Sequence, residues 1–341
     1  MLASLEIEWW HYATFIVAVL FVVSLDLGVF HRRARVVRFR EALAWTCLWV
    51  SLSLLFAWTL VPTLGRDEAQ KFLLGYILEL SLSMDNVFVI ALIFGYFRVP
   101  IAFQHRVLFW GIMGAFVMRG IMIAFGAALV NRFEWILYLF GIFLLVTGVR
   151  MVFASQEGVH PEKNPVIRLA RRFFPVTDDF EGQSFVTVRA GGLALTPLAL
   201  VLLMVETTDL IFAVDSIPAI FGVTQNPFIV FTSNVFAILG LRSLYFVLAN
   251  LIGYFRYLKL GLSFVLVFIG LKMLIDPHAS ESVGDSPTYG HLWFQMEIPT
   301  SVSLTVVGSI LACSILISLG ASYWEKRRGV VSPPPSNPEP T

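Results

Sequence analysis

The chain has 341 residues, of which 57% are hydrophobic and 14% charged, and its formal net charge is +1 at pH 7. A soluble domain of this length needs about 25% charged residues to cover its surface, so the composition excludes a soluble globular protein. The two cysteines, Cys47 and Cys313, lie far apart in apolar stretches, and we expect neither a disulfide nor a thiolate metal site from them.

Long apolar stretches recur along the chain and predict about nine transmembrane helices. A hydrocarbon core of about 30 Å is crossed by about 20 apolar residues in a helix, and a helix satisfies all of its own backbone hydrogen bonds in lipid. The qualifying stretches are residues 12–30, 41–62, 72–97, 105–130, 133–153, 192–221, 228–252, 258–275 and 300–323. The expected fold class is therefore an all-α, polytopic membrane protein.

Basic residues predict the orientation, because cytoplasmic loops carry an excess of Lys and Arg. Most Lys and Arg residues outside the spans fall in alternate loops and in the C-terminal tail, whereas the opposite loops hold Arg66, Lys71 and Arg132. We therefore expect the N-terminus outside and the C-terminus in the cytoplasm. Glu6 and Glu8 precede the first span and a basic cluster follows it, so we do not expect a cleaved signal.

The predicted organisation follows from these spans. Its parts are an N-terminal two-helix segment (1–71), a first three-helix repeat (72–153), a cytoplasmic insert (154–190), a second three-helix repeat (191–275), an external loop (276–299), a final transmembrane helix (300–324) and a disordered cytoplasmic tail (325–341). Within the insert, residues 166–174 can form a short amphipathic helix. The tail is rich in proline, which favours disorder.

Spans three to five and spans six to eight carry the same landmarks in the same order. These are an acid before an Asp-[Asn/Ser] pair, an Arg before a small residue, and Gly-x-[Arg/Lys]-Met. They begin at Glu79, Arg119 and Gly148 in one half and at Asp209, Arg242 and Gly270 in the other. Because each copy has an odd number of spans, we expect two inverted repeats, which are characteristic of secondary transporters with a midplane substrate site. An old duplication in a protein that no longer transports is the alternative.

Carboxylates inside the predicted spans outnumber the buried cations. Each ionisable group costs about 2.5–3.5 kcal/mol at the centre of a membrane helix on insertion scales. The acids are Asp26, Glu79, Asp85, Glu206, Asp209 and Asp215, and the cations near mid-span are Arg119 and Arg242. Ion pairing alone cannot neutralise this set, so either several acids are protonated or a bound cation balances them.

The acids of span six have an informative spacing. Glu206 and Asp209 share one helical face, whereas Asp215 lies about 9 Å further along the helix from Asp209 and about 240° around it. They converge on one ion only if the helix breaks or if neighbouring helices supply further ligands. Pro218 offers such a break, because its ring clashes with the Val214 carbonyl and because proline has no backbone N–H to donate to that carbonyl.

The candidate metal ligands are mostly oxygen donors, which favour Mg²⁺, Ca²⁺ or Mn²⁺ over Zn²⁺ or Cu⁺. The predicted metal site consists of Glu79, Asp85, Asn86, Glu206, Asp209 and Asp215, with Asp26, Ser83, Met84, Thr208, Ser216, Arg119 and Arg242 as auxiliary residues. Met84 can add a soft thioether that favours Mn²⁺, although such a residue more often packs. Asp26 can instead cap its helix or pair with the Arg-rich loop. Arg119 and Arg242 are expected to pair with the acids when no ion is bound, or to act as mobile gating charges.

Several motifs give the chain a specific resemblance to one family. They are LDLGVFH from Leu25, SLSMDN from Ser81, PEKNP from Pro161, ETTD from Glu206, DSIP from Asp215 and FTSNVFAILGLR from Phe231. Over about residues 20–275 the chain thus resembles the TerC family of bacterial membrane proteins, named from tellurite resistance and including Alx-type proteins. Leu80 departs from the family pattern, in which a Lys commonly follows the first glutamate, so the first half is more negative.

The resemblance implies export of a divalent metal, chiefly Mn²⁺, across the bacterial inner membrane, and a place among the LysE-like exporters with two inverted three-helix repeats. It also implies that the acidic motif residues named above bind the metal. We therefore expect a transporter and no enzyme, with a divalent ion as substrate, the lipid bilayer as surroundings and no nucleic-acid partner. A homo-oligomer or another membrane-protein partner is compatible with this sequence. Tellurite resistance has no clear chemistry in these residues.

Other functions are also compatible with the sequence. A membrane scaffold would dock partners on the cytoplasmic insert and hold a structural ion, and an exporter would equally carry Ca²⁺ or Mg²⁺. Paired carboxylates occur in intramembrane aspartyl proteases, but the Gly-x-Gly-Asp pattern expected there is absent from the sequence. No nucleotide-binding motif is present, so we do not expect direct ATP drive. The sequence permits proton antiport without fixing the coupling ion.

Overall fold

The computed structural model describes residues 9–25, 39–133, 135–153, 164–189, 192–249, 258–275 and 298–327. The helices and strands of these residues are α1 (Trp9–Leu25), α2 (Phe39–Leu64), α3 (Arg66–Tyr96), α4 (Ile101–Arg132), α5 (Ile136–Phe153), α6 (Pro165–Phe173), β1 (Val186–Arg189), β2 (Gly192–Leu195), α7 (Pro197–Phe221), α8 (Pro227–Ala249), α9 (Leu258–Ile275) and α10 (Thr300–Arg327). Asp26, the external loop up to residue 297 and the tail from residue 328 lie outside the described residues.

Eight of the described helices are long and apolar enough to cross a membrane, namely all except α1 and α6. The chain is therefore a polytopic all-α membrane protein, which confirms the predicted fold class. Helix α1 is also apolar but has 17 residues, fewer than each of these eight helices. The count of nine spans requires α1 to cross the membrane as well, and it stays a prediction.

Two local expectations about span six are wrong. Residues 192–195 form strand β2, which pairs antiparallel with β1, and the helix begins only at Pro197, where a missing N–H has no intrahelical partner to lose. Helix α7 also continues without a break through Pro218 to Phe221. Because Pro218 lies in the last turn, its missing N–H removes one hydrogen bond near the helix end and does not interrupt the middle of the span.

The amphipathic helix expected in the insert is present as α6. Asn164 caps it by accepting hydrogen bonds from the backbone N–H groups of Val166 and Ile167, as N-cap residues do. Ile167 is buried in the hydrophobic core, whereas Phe173 is exposed. The Asn164 amide nitrogen also lies 3.2 Å from the Met204 sulfur, so the insert packs against the first turns of α7.

The most buried spanning helices are α8, α9 and α3, and 56% of the spanning part of α9 is buried. The spanning part of α8 is 89% buried and that of α3 is 50% buried, against 22% for α2. Helix α3 packs against α2, α7 and α8, helix α4 packs against α7 and α8, and α5 packs against α9. Polar side chains on α3, α4, α7 and α8 can therefore face protein instead of lipid.

Corresponding helices of the two predicted repeats run in opposite directions. The contacts that establish the directions are Gly75–Ile220 and Asn86–Asp209 for α3 and α7, Gln104–Tyr245 and Phe116–Phe231 for α4 and α8, and Gly141–Gly270 and Gly148–Ser263 for α5 and α9. In each pair the residue number rises on one helix as it falls on the other. This is the arrangement that inverted repeats require, while the duplication itself stays a prediction.

The crossing of α5 and α9 depends on glycine at matching positions. A Cβ atom on Gly270 would lie 2.8 Å from the carbonyl oxygen of Gly141, and a Cβ atom on Gly148 would lie 2.9 Å from the carbonyl oxygen of Ser263. Since the Gly-x-[Arg/Lys]-Met landmarks align Gly148 with Gly270, they also align Gly141 with Ser263. The two close approaches are therefore reciprocal between the halves.

Candidate functional site

A buried network of charged and amide side chains joins three helices inside the bundle. Arg119 on α4 donates from Nη1 to Oε2 of Glu79 on α3 at 2.7 Å. It also donates from Nε and Nη2 to the two carboxylate oxygens of Asp209 on α7, at 3.3 and 3.2 Å. Asn86 on α3 donates from Nδ2 to Asp209 Oδ1 at 3.1 Å. All four residues are buried, and the expected pairing of Arg119 with the acids is observed.

Polar atoms around this network lack hydrogen-bond partners. They include Oε1 of Glu79, Oδ1 of Asn86 and Nδ2 of Asn234 on α8. Leaving a buried polar atom unsatisfied costs about 1–3 kcal/mol, so such atoms are few in natural proteins. Carboxylate and amide oxygens are the ligands that hard divalent cations prefer. The unpaired oxygens of Glu79 and Asn86 are therefore of the kind that hard divalent cations bind.

Glycines on α4 allow α7 to bring a further acid close to this network. A Cβ atom on Gly111 would lie 3.2 Å from Val205, and a Cβ atom on Gly114 would overlap the carboxylate of Glu206. Glu206 thus lies against the backbone of α4, one helical turn from Asp209, whose negative charge acts on it. A side chain at residue 114 would therefore displace the Glu206 carboxylate from this position.

Asp85 and Asp215 lie apart from the Arg119 network and face the third helix of the opposite half. Thr147 on α5 donates from Oγ1 to Asp215 Oδ1 at 3.5 Å, and the positive charge of Arg150 on the same helix attracts the Asp215 carboxylate. The positive charge of Lys259 on α9 attracts the Asp85 carboxylate. Among the described residues, no three His, Cys, Asp or Glu side chains are close enough together to hold a metal ion. A single site containing all six predicted ligands stays a prediction.

The carboxylates lie at two levels along the bundle. The antiparallel contacts of α3 and α7 place Asp85 at the level of Asp209 and place Glu79 at the level of Asp215. Six residues of helix separate the two levels by about 9 Å. Each level therefore has one acid from each half, and the long Arg119 side chain joins the levels by binding Glu79 and Asp209.

The predicted auxiliary residues have various surroundings. Thr208 donates its hydroxyl to the Met204 carbonyl of its own helix at 2.7 Å, and the buried Ser216 hydroxyl has no hydrogen-bond partner. Ser83 is buried, while Met84 packs against a cluster of apolar side chains, in agreement with the packing alternative for this residue.

Arg242 lies away from Arg119. It lines a cavity between α1, α2 and α4, together with Val19, Trp49 and Met113. Sequence reasoning did not select Asn234 as a site residue, although it belongs to the FTSN motif that begins at Phe231. The run of three polar residues at 232–234 in α8 is the sequence signal that could have found it.

Comparison with known proteins agrees with this architecture. The model of the integral membrane protein TerC family matches residues 64–328, which is most of the chain. This protein therefore belongs to the TerC family. No solved structure matches the chain.

Its relatives are bacterial membrane proteins. The chain is 48% identical over 308 residues to an uncharacterized membrane protein of Myxococcus xanthus, covering 90% of this chain and 91% of that protein. It is 46% identical over 325 residues to an Escherichia coli K12 protein with the provisional name membrane-bound redox modulator Alx, covering 92% of this chain and 96% of the relative. A membrane protein of Rickettsia bellii is 36% identical over 312 residues, which is 92% of this chain and 97% of that protein.

Proposed function

We propose that this protein is a secondary transporter that exports divalent metal ions, with Mn²⁺ as the principal substrate, from the bacterial cytoplasm across the inner membrane. One observation carries the proposal: Glu79 and Asp209, one from each antiparallel half, share the Arg119 guanidinium inside the bundle. Ionisable residues within membrane spans are costly and mark ion pathways. A cationic group between the two halves occupies the position that a transported cation would take.

The charges of this network favour a divalent substrate. Arg119 carries one positive charge and therefore balances only one of the two carboxylates that it binds. A divalent ion between Glu79 and Asp209 would balance both, and it would also engage the orphaned oxygens of Glu79 and Asn86. In the proposed cycle, Arg119 moves aside when the ion binds and returns to the acids when the ion leaves, so that the empty site is never left with two uncompensated carboxylates.

The two levels of acids provide a path for the ion. An ion from the cytoplasm would exchange water for carboxylate oxygens at the level of Asp85 and Asp209 and pass to the level of Glu79 and Asp215, about 9 Å away. Rocking of one half against the other would then open the site to the outside, as in other inverted-repeat transporters. Protons that bind the carboxylates from outside would favour release of the ion.

The name of the E. coli relative refers to redox modulation, but the cysteines of this chain give no support to a thiol reaction. Thiol–disulfide exchange needs a pair of thiols within reach of each other or of a partner. Cys47 and Cys313 are the only cysteines of the chain, and both are free and exposed on α2 and α10, which face lipid in the proposed arrangement. We therefore assign the function to the carboxylates.

The test is manganese accumulation in cells that lack their own manganese exporters. We expect the wild-type chain to lower cellular manganese and Asp209→Asn to abolish this effect, because the variant loses one of the two carboxylates that would balance the charge of the ion. Asp85→Ala and Asp215→Ala are expected to reduce it. Asp178→Asn makes the same chemical change at an exposed carboxylate outside the spans and is expected to behave as wild type. Equal manganese levels in cells with wild type and Asp209→Asn would favour the scaffold alternative.

A further inference from the structure

Asn234 on α8 is a buried polar residue that the proposed site does not yet include. Only 1% of its surface is exposed, and its Nδ2 has no hydrogen-bond partner. The preceding residue, Ser233, lies beside Gly75 on α3, where a Cβ atom would be 3.1 Å from the Ser233 hydroxyl oxygen. Gly75 is one turn before Glu79, so this contact places the Asn234 amide beside the Glu79 carboxylate. The two side chains interact there, with the amide on the donor side.

The other polar residues of the same motif are satisfied within α8. Thr232 donates its hydroxyl to the Phe228 carbonyl at 2.8 Å, and Ser233 donates to the Val230 carbonyl at 3.2 Å. The Asn234 amide nitrogen makes no such bond within α8, and its interaction with Glu79 shows that it faces α3. Within this triplet, Asn234 is thus the residue that is directed at the acid of α3.

The Glu79 carboxylate is held at one oxygen only. Arg119 binds Oε2 at 2.7 Å, whereas Oε1 is buried and has no hydrogen-bond partner. Asn234 interacts with Glu79 as a side-chain donor across the α3–α8 interface, but Nδ2 of Asn234 and Oε1 of Glu79 do not reach ordinary hydrogen-bond geometry. Natural proteins satisfy most buried polar groups, so a contact that stays this loose indicates a hydrogen bond that tightens in another state of the site.

We propose that Asn234 is a positioning residue of the cation site, an inference that rests on the proposed transport function. When a divalent cation takes the place of Arg119 at Oε2 of Glu79, the Asn234 amide donates to Oε1 and holds the carboxylate toward the ion. Asn234 thereby acts on the ion through Glu79, as hydrogen-bonded partners of metal ligands do. The bond would also connect the second half of the protein to the ligand of the first.

The test compares Asn234→Leu with Thr232→Val in the purified full-length protein. Mn²⁺ affinity is measured by titration, and thermal unfolding is measured without added metal. We expect the Kd of Asn234→Leu to rise about 10- to 100-fold, the usual effect of removing a partner of a metal ligand, while its Tm without metal stays unchanged or rises because an unsatisfied buried amide is removed. Thr232→Val removes an equally buried hydroxyl that bonds only within α8, so we expect its Kd to be unchanged.

The outcomes separate this inference from the proposed function. Wild-type protein that binds no Mn²⁺, Ca²⁺ or Mg²⁺ would contradict the proposed function itself. A wild type that binds, together with an Asn234→Leu protein whose Kd is within about threefold of it, would overturn only the role of Asn234. The role would also be overturned if Thr232→Val raised the Kd by the same factor. If the leucine variant does not fold, Asn234→Ala is measured under the same criteria.

Discussion

Arg119 is the charged residue of the candidate site that binds two acids at once. Its side chain is 2% exposed and forms ion pairs with Glu79 and with Asp209. Charges buried in this way are retained only when their partners are present, since the desolvation of each ion is large. At the scale of single residues, the position of Arg119 in the proposed cycle decides whether the two acids are available to a metal ion.

Replacing Arg119 by methionine tests this dependence. Removing one partner of a buried ion pair costs about 3–5 kcal/mol because the remaining charges are uncompensated, so we expect Arg119→Met to lower the Tm of the metal-free protein. A divalent ion then restores the missing charge, and Mn²⁺ should raise the Tm of the variant more than that of wild type. Thermal unfolding with and without Mn²⁺ measures both effects. An equal or smaller shift in the variant would show that Mn²⁺ does not replace the guanidinium.

At the scale of helices, the site depends on how closely α4 and α7 approach. Gly111 and Gly114 allow α7 to lie against the backbone of α4, and Glu206 fills the space beside Gly114. Because the two helices run parallel, Arg119 then faces Asp209 further along the same interface. The small residues of α4 therefore fix the position of two acids of α7.

The variant Gly114→Ala tests the contact between these helices. Its methyl group would overlap the Glu206 carboxylate, and because this carboxylate is the end of a flexible side chain, it would be displaced at little cost in stability. We expect manganese export by this variant to fall strongly while the protein stays folded. In Gly120→Ala, on the same helix, the nearest atom is 4.0 Å from the new Cβ, so export should match wild type.

Adding Glu206→Asp to the Gly114→Ala variant provides a further check. The shorter side chain leaves room for the methyl group, so the double variant should export more manganese than Gly114→Ala alone. Normal export by Gly114→Ala itself would mean that the position of Glu206 has no role in transport.

The sequence predicted the elements more successfully than their contacts. Hydropathy located the eight long apolar helices because each must satisfy its backbone in lipid. It failed at residues 192–195, where a short apolar strand is continuous in composition with the helix that follows. It also offered Pro218 as a break, although the predicted span ended at residue 221 and so already put this residue in the last turn of the helix.

The candidate site was predicted in part. Repeat landmarks pointed to Glu79, Asp209 and Arg119, which the structure joins in one network. The roles that we infer for Gly114 and Asn234 depend on which helices are neighbours, and a periodic pattern within one helix carries no information on that. For the same reason, the sequence did not separate Asp85 and Asp215 from the acids that bind Arg119.

At the scale of the whole molecule, the two antiparallel halves are also tied together where α3 begins. Lys71, which is 4% exposed, lies 2.9 Å from Asp67 and 2.8 Å from Glu68. Glu68 in turn accepts a hydrogen bond of 3.1 Å from Asn226, between α7 and α8. Lys71, which the sequence placed in a loop, is therefore buried in α3, and Glu68 connects it to the segment between α7 and α8. In the proposed cycle, this connection opens when the halves rock and release the ion on that side.

Metal flux into sealed vesicles tests the central claim most directly. The purified protein is reconstituted into liposomes that contain a Mn²⁺-sensitive dye, and Mn²⁺ is added outside with and without a pH gradient. We predict dye quenching with the wild-type protein, faster quenching when the vesicle interior is acidic, and no quenching above that of empty liposomes with Asp209→Asn. Quenching by Asp209→Asn at the wild-type rate, or none by folded wild-type protein with any divalent ion tested, would contradict the claim that these buried acids carry a metal across the membrane.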